Sequence, residues 1–183
     1  RFPFSMQNSE IHNSGASSPG SISILLDHKL KSEALDKNFG LFAYNIFPQW
    51  IPITFFPSDQ VDESWLIRGT SNYYQLLLMR RIGLISDQEF LDKLSVAYEQ
   101  YSREYDRIGL SVRAAREIPG ARGYVFSAEM LTACMLDLRL RAMSPRISSL
   151  DQVMAALAQR FHGDNNVFSA AQFFELTDTL SGQ

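Results

Sequence analysis

Cysteine is nearly absent. Cys134 stands alone among 183 residues, so no internal disulfide can form and the redox compartment stays open. Histidine is scarce as well. His12, His28 and His162 lie far apart, and no two have the i, i+3 or i+4 spacing that puts a pair of metal ligands on one helix face. There is no C-x-x-C, no G-x-S-x-G and no glycine-rich phosphate loop, which removes the local signatures of thiol redox, serine hydrolase and nucleotide-binding chemistry. No basic run exceeds Arg80-Arg81 and the formal net charge is −3, so nucleic acid is not an expected partner. No apolar run is long enough to span a bilayer. Compartment and oligomeric state are left undetermined.

What is present is a globular composition. Hydrophobic residues make up 45% and aromatics 12%, which excludes a disordered chain and supplies a sizeable core. The length suits one structural domain. Because the chain opens at Arg1 inside an expected strand, it reads as a piece of a longer protein. Residues 1–30 form the expected β portion: a strand at Phe2 to Met6, a turn or loop rich in Gly, Ser and Pro at 13–20, and a strand at Ser21 to Leu26.

Residues 31–183 read as a helical subdomain. The spacing of Leu35, Phe39, Phe42 and Ile46 predicts a helix from about Ser32 to Phe47. Pro48, Pro52 and Pro57 make 48–60 an irregular connection. A helix over 62–82 follows, with Gly83 as its left-handed cap. Ser86 and Glu89 form a capping box that starts a helix running to about Tyr105. Residues 106–123 read as a loop with a short helical turn. An apolar helix spans Ser127 to Met143 and carries Cys134 as an inert buried thiol. Another covers 149–161, behind a weaker box at Ser149 and Gln152. The last begins at a second strong box, Ser169 with Gln172, stapled by Phe168 and Phe173. The expected fold class is therefore mainly α, with a small N-terminal β portion.

One stretch carries more than fold. Trp65-Leu66-Ile67-Arg68-Gly69-Thr70-Ser71-Asn72-Tyr73-Tyr74 resembles the glutamate-bearing helix of a zinc aminopeptidase, W-x-x-E-G-x-x-x-Y-Y, with arginine in the glutamate position. Leu131 to Leu138 and the Ser149 to Phe161 segment add to the likeness. Over roughly residues 32–180 the layout resembles the helical part of the catalytic region of glycyl-aminopeptidase-like metallopeptidases, in the gluzincin clan. The resemblance implies a thermolysin-like catalytic fold. It also implies an H-E-x-x-H helix whose two histidines bind zinc and whose glutamate is the general base, a glutamate from a second helix as third ligand, and a tyrosine that stabilises the oxyanion.

Against that pattern the family's H-E-x-x-H-x-W-N is similar to Asn38-Phe39-Gly40-Leu41-Phe42-Ala43-Tyr44-Asn45. Asn38 and Phe42 stand at the histidine positions and Phe39 at the base. Arg68 stands at the third ligand, 68 − 42 = 26 positions later. The oxyanion tyrosine falls at Phe126, and the upstream substrate loop falls near Gly15-Ala16-Ser17-Ser18, where Glu and His are absent.

Three functions stay open at this point. One is a non-catalytic, peptidase-like domain without cofactor or metal that interacts with a peptide or protein. Another is an active zinc aminopeptidase with an unrecognised metal site. The third is a purely structural helical scaffold. Arg68 either holds a carboxylate, internal or from a ligand, or is a solvated or ion-paired helical arginine; Asp62 and Glu63 are its acidic neighbours in sequence. Phe39 and Phe42 are expected to fill volume left by the metal and its ligands. Tyr73 and Tyr74 are expected in the core, and the charges between Asp87 and Arg107 on a solvated face.

Overall fold

The structure, a computed structural model, describes residues 14–18, 21–25, 39–43, 45–46, 56–57, 64–143, 149–161 and 166–181. The expected strand at Phe2 to Met6, the residue Asn38 and all three histidines lie outside them. The fold is mainly α with a small β portion.

Two short sheets make up the β portion. β1 (Ser14–Ser18) pairs antiparallel with β2 (Ser21–Leu25), with Ser14 opposite Leu25 and Ser18 opposite Ser21. The β2 strand was expected, but β1 occupies what composition marks as a loop. Glycine and serine are weak strand formers, and here pairing with β2 outweighs propensity. β3 (Phe56–Pro57) pairs in parallel with β4 (Val167–Phe168), so the proline-rich connection returns to the start of the last helix. Neither two-residue strand has a sequence signal of its own.

The helices follow their caps. Residues 39–43 and 45–46 are helical (α1). α2 (Ser64–Arg81) ends before Gly83, which adopts φ 75°, as expected of a left-handed cap. α3 (Asp87–Ile108) starts at the Ser86–Glu89 box, both arms of which are made, and stops at Gly109 with φ 60°. α4 (Val112–Ala115) is the short turn within the loop. α5 (Arg122–Met143) starts five residues earlier than its apolar run suggests. Gly120 takes the positive φ of 84° there, and Gly123 is carried inside the helix. α6 (Leu150–Arg160) is capped by Ser149 Oγ accepting from the Asp151 N–H. α7 (Ala170–Ser181) begins at the Ser169–Gln172 box, with Ser169 N–H donating to Gln172 Oε1 at 2.8 Å and Gln172 N–H to Ser169 Oγ at 3.2 Å.

The main core joins α2, α3, α5, α6 and α7. Leu66, Tyr73, Leu77 and Met79 of α2 meet Phe90, Met130, Leu157 and Phe173. Trp65 sets its ring edge-on to Phe173 at 6.5 Å. A smaller cluster under α4 holds Ala115, Ala121 and Tyr124, with Tyr124 stacked on Tyr101 at 5.5 Å. Among the described residues, no helix is long and apolar enough to cross a membrane.

Candidate functional site

α2 is the element that carries Arg68, and α5 is the element it lies against. The close approach occurs at Gly69: a Cβ there would sit 2.4 Å from the Glu129 carbonyl oxygen. The contact fixes Glu129 beside the Arg68 turn. The Glu129 side chain is 3% exposed and that of Arg68 49%. Arg68 Nε lies 3.5 Å from Glu129 Oε2, while Arg116 Nη2 donates to Glu129 Oε1 at 2.7 Å. One buried carboxylate thus faces two guanidiniums from different elements. Its strong bond is to Arg116, within the 2.7–2.9 Å typical of charge-assisted pairs, and the Arg68 contact is longer. Asp62 and Glu63, the acidic neighbours in sequence, lie outside the described residues.

Asn72 follows Arg68 by one helical turn. Its carboxamide is buried, and among the described residues neither its oxygen nor its nitrogen has a hydrogen-bond partner. A buried unpaired amide costs about 1–3 kcal/mol. Replacing Asn72 with the similarly sized leucine is therefore expected to leave stability unchanged or raise it by about 1 kcal/mol. The check is a urea unfolding curve; a clear loss would mean that the amide is satisfied in solution.

Phe39 and Phe42 depart from expectation. Their side chains are 45% and 46% exposed, so they do not fill an interior volume. Space under α1 is taken up from the α2 side instead: a Cβ at Gly40 would meet the Gln75 amide at 2.6 Å and the Met79 sulfur at 3.5 Å. Asn45 is buried and donates to the Leu41 carbonyl at 2.7 Å. Phe126 is also half-exposed, one turn before Glu129 on α5.

The second half of α2 is anchored by two phenol–carboxylate pairs. Tyr73 Oη donates to Asp137 Oδ2 at 2.7 Å and Tyr74 Oη to Asp151 Oδ1 at 2.6 Å. Burial first, and the acceptor carboxylates second, push both phenols far above their ordinary range, so they remain donors at any working pH. Asp137 also accepts from Arg141 Nε at 3.0 Å and from the Leu150 N–H at 2.6 Å, which makes it a distant cap for α6. Both tyrosines lie in the core, as expected.

Asp151 also accepts from Arg81 Nη2 at 2.6 Å. Burial raises its carboxyl, but the bonds from Arg81 and Tyr74 outweigh this and hold it below the ordinary 3.8. A carboxylate depressed in the folded state stabilises above its unfolded pKa, and that stabilisation is lost as pH falls through the folded value. The thermal midpoint is expected to fall as pH drops below about 4. Asp151→Asn should flatten part of that fall, and an acid limb identical to the parent's would contradict the pairing. Cys134 lies in the same region; burial, with Asp137 adding to it, pushes its thiol up to about 11, so it is an inert core thiol.

Residues 48–119 match the family model of the M61 glycyl aminopeptidases. The matched span takes in α2 with Arg68, α3 and α4. It is narrower than the 32–180 suggested by the sequence, with α1 before it and α5 after it. No curated protein matches the chain. The glycyl-aminopeptidase-like segment thus includes Arg116, which sequence reading missed, and contacts Glu129 beyond its end. One signal for Glu129 was available: a carboxylate within the apolar run from Tyr124 to Cys134 must be paired if it is buried. Among the described residues, no group of three or more His, Cys, Asp or Glu is arranged to hold a metal ion.

Proposed function

We propose that this is a non-catalytic, peptidase-like domain that binds a peptide or protein segment, built as one structural domain from a β portion at 1–30 and a helical subdomain at 31–183. The observation that carries the reading is the Arg68–Glu129–Arg116 arrangement. The residue in the third-ligand position is a cation engaged by a buried carboxylate. Zinc is poorly served by the side chains at the three ligand positions: asparagine at 38 offers only a weakly donating amide oxygen, phenylalanine at 42 has no lone pair to give, and the guanidinium at 68 offers only donors and a positive charge. Phe39 also has no group to take a proton from water, and Phe126 has no hydroxyl for an oxyanion. What these positions offer is contact. Half-exposed phenyl rings are apolar surface that an incoming side chain can bury.

The test is retention without hydrolysis. The chain is incubated with a mixture of short peptides bearing free N-termini, and bound and released species are read by mass spectrometry. Intact retained peptides are expected, with retention lowered by Phe39→Ala and Phe42→Ala and altered by Arg68→Glu. Release of N-terminal residues would overturn the non-catalytic reading, and a domain that retains nothing would overturn the binding one.

A further inference from the structure

α3 carries three rows that repeat every seven residues. Leu91, Tyr98 and Tyr105 form the first, and they are 57%, 61% and 50% exposed. Ser95 and Ser102 form the second, and exposed Asp92, Glu99 and Asp106 the third. At 100° per residue the rows lie side by side, the serines between the apolar and acidic ones. Leu94, Tyr101 and Ile108, on the inner flank, pack against the two core clusters, so α3 is anchored and its apolar row faces outward. The row runs about 21 Å along the helix.

The acidic row has an unusual balance. Asp87 and Glu104, elsewhere on α3, pair with Arg80 and Arg107. Asp92 accepts only from the Gln88 amide, at 2.8 Å. Among the described residues, none of the three acids of the row forms an ion pair with a cation. A seven-residue apolar row is one line of contact for a second helix, the small serines beside it leave room for that helix's side chains, and an acidic rim beside it favours a basic partner. A second copy of the chain fits badly. Two α3 helices paired antiparallel about a two-fold axis bring like flanks together, so the acidic row would face itself.

We infer that α3 docks an amphipathic helix of a partner protein whose apolar residues follow a heptad and whose flank is rich in Lys or Arg. The surface includes none of positions 39, 42 and 68 and does not depend on how those are read.

The probe is a synthetic helix with leucine at heptad positions a and d and lysine at e and g, alongside its glutamate counterpart. Binding is followed by fluorescence anisotropy at 0.15 M and 0.5 M salt. The lysine helix is expected to bind and the glutamate helix not, with binding weakened by salt. Tyr98→Ala should abolish most of it, and the triple change Asp92→Asn, Glu99→Gln, Asp106→Asn should weaken it about tenfold. All four positions are exposed, so folding should be unaffected, which circular dichroism checks. Equal binding of both helices, or binding of neither, would overturn the inference. So would a concentration-dependent dimer in sedimentation that Tyr98→Glu dissolves, which would assign the face to a second copy.

Discussion

Glu129→Ala is expected to cost the domain about 3–5 kcal/mol, the range for removing one member of a buried ion pair. The reason is what remains behind. Arg116 has an 11% exposed side chain and makes its 2.7 Å bond to this carboxylate, so truncation takes the facing carboxylate away from a largely buried guanidinium. Glu129→Gln should cost less, because an amide oxygen can still accept one of the bonds. Arg68 behaves differently. It is half-exposed and its contact with Glu129 is 3.5 Å, so the loss of that contact in Arg68→Ala should cost no more than about 1 kcal/mol. Urea midpoints of the three variants decide the matter. The order expected is Glu129→Ala, then Glu129→Gln, then Arg68→Ala. A loss at Arg68 equal to that at Glu129 would show that Arg68, not Arg116, is the main partner of the buried charge.

Gly69→Ala is expected to destabilise by about 1–3 kcal/mol, the range for overpacking, although alanine is the better helix former by about 1 kcal/mol. The added methyl would lie 2.4 Å from the Glu129 carbonyl oxygen and 2.9 Å from its carbon. Backbone cannot swing aside as a side chain can, so α2 and α5 must separate. Gly40→Ala is the control: its closest neighbour is the Gln75 amide at 2.6 Å, the movable end of a flexible side chain, and the cost should be small. Because Gly69 and Glu129 share one contact, their substitutions should also be non-additive. A neutral or stabilising Gly69→Ala in thermal melts would mean that the helices are not held at this distance.

How much of this was legible depended on the range of each interaction. Local punctuation read well. Ser86 with Glu89, Ser169 with Gln172, and Gly83 each place a helix end through bonds made within a few residues. Elements that depend on a distant partner were not visible. β3 and β4 join Phe56 to Val167 across most of the chain, whereas β1, paired with β2 only three residues further on, was hidden by its glycine and serine composition. The early start of α5 was missed because Gly123 reads as a breaker, while the left-handed turn that precedes the helix is at Gly120.

The candidate site divides the same way. Trp65 to Tyr74 could be recognised as a motif, and Arg68 stood out within it. Its partner could not be read, since Glu129 is distant in sequence and sits in a helix taken for purely apolar. The burial of Phe39 and Phe42 was expected from the idea that lost metal ligands leave a volume to fill. The structure gives that packing to Gly40, Gln75 and Met79 and leaves the phenyl rings at the surface. Nothing in the sequence marks Asp137 and Asp151, and only the tertiary fold shows that they accept the bonds of Tyr73 and Tyr74.

We propose that the residues standing where a zinc aminopeptidase keeps its ligands and base do not perform that chemistry. Metal content measures it most directly: the chain is purified without chelator, dialysed against zinc, freed of excess metal and assayed by mass spectrometry together with turnover of an aminoacyl anilide. Zinc well below one equivalent is expected, with no turnover above the buffer rate. Stoichiometric zinc with hydrolysis that a chelator abolishes would contradict it.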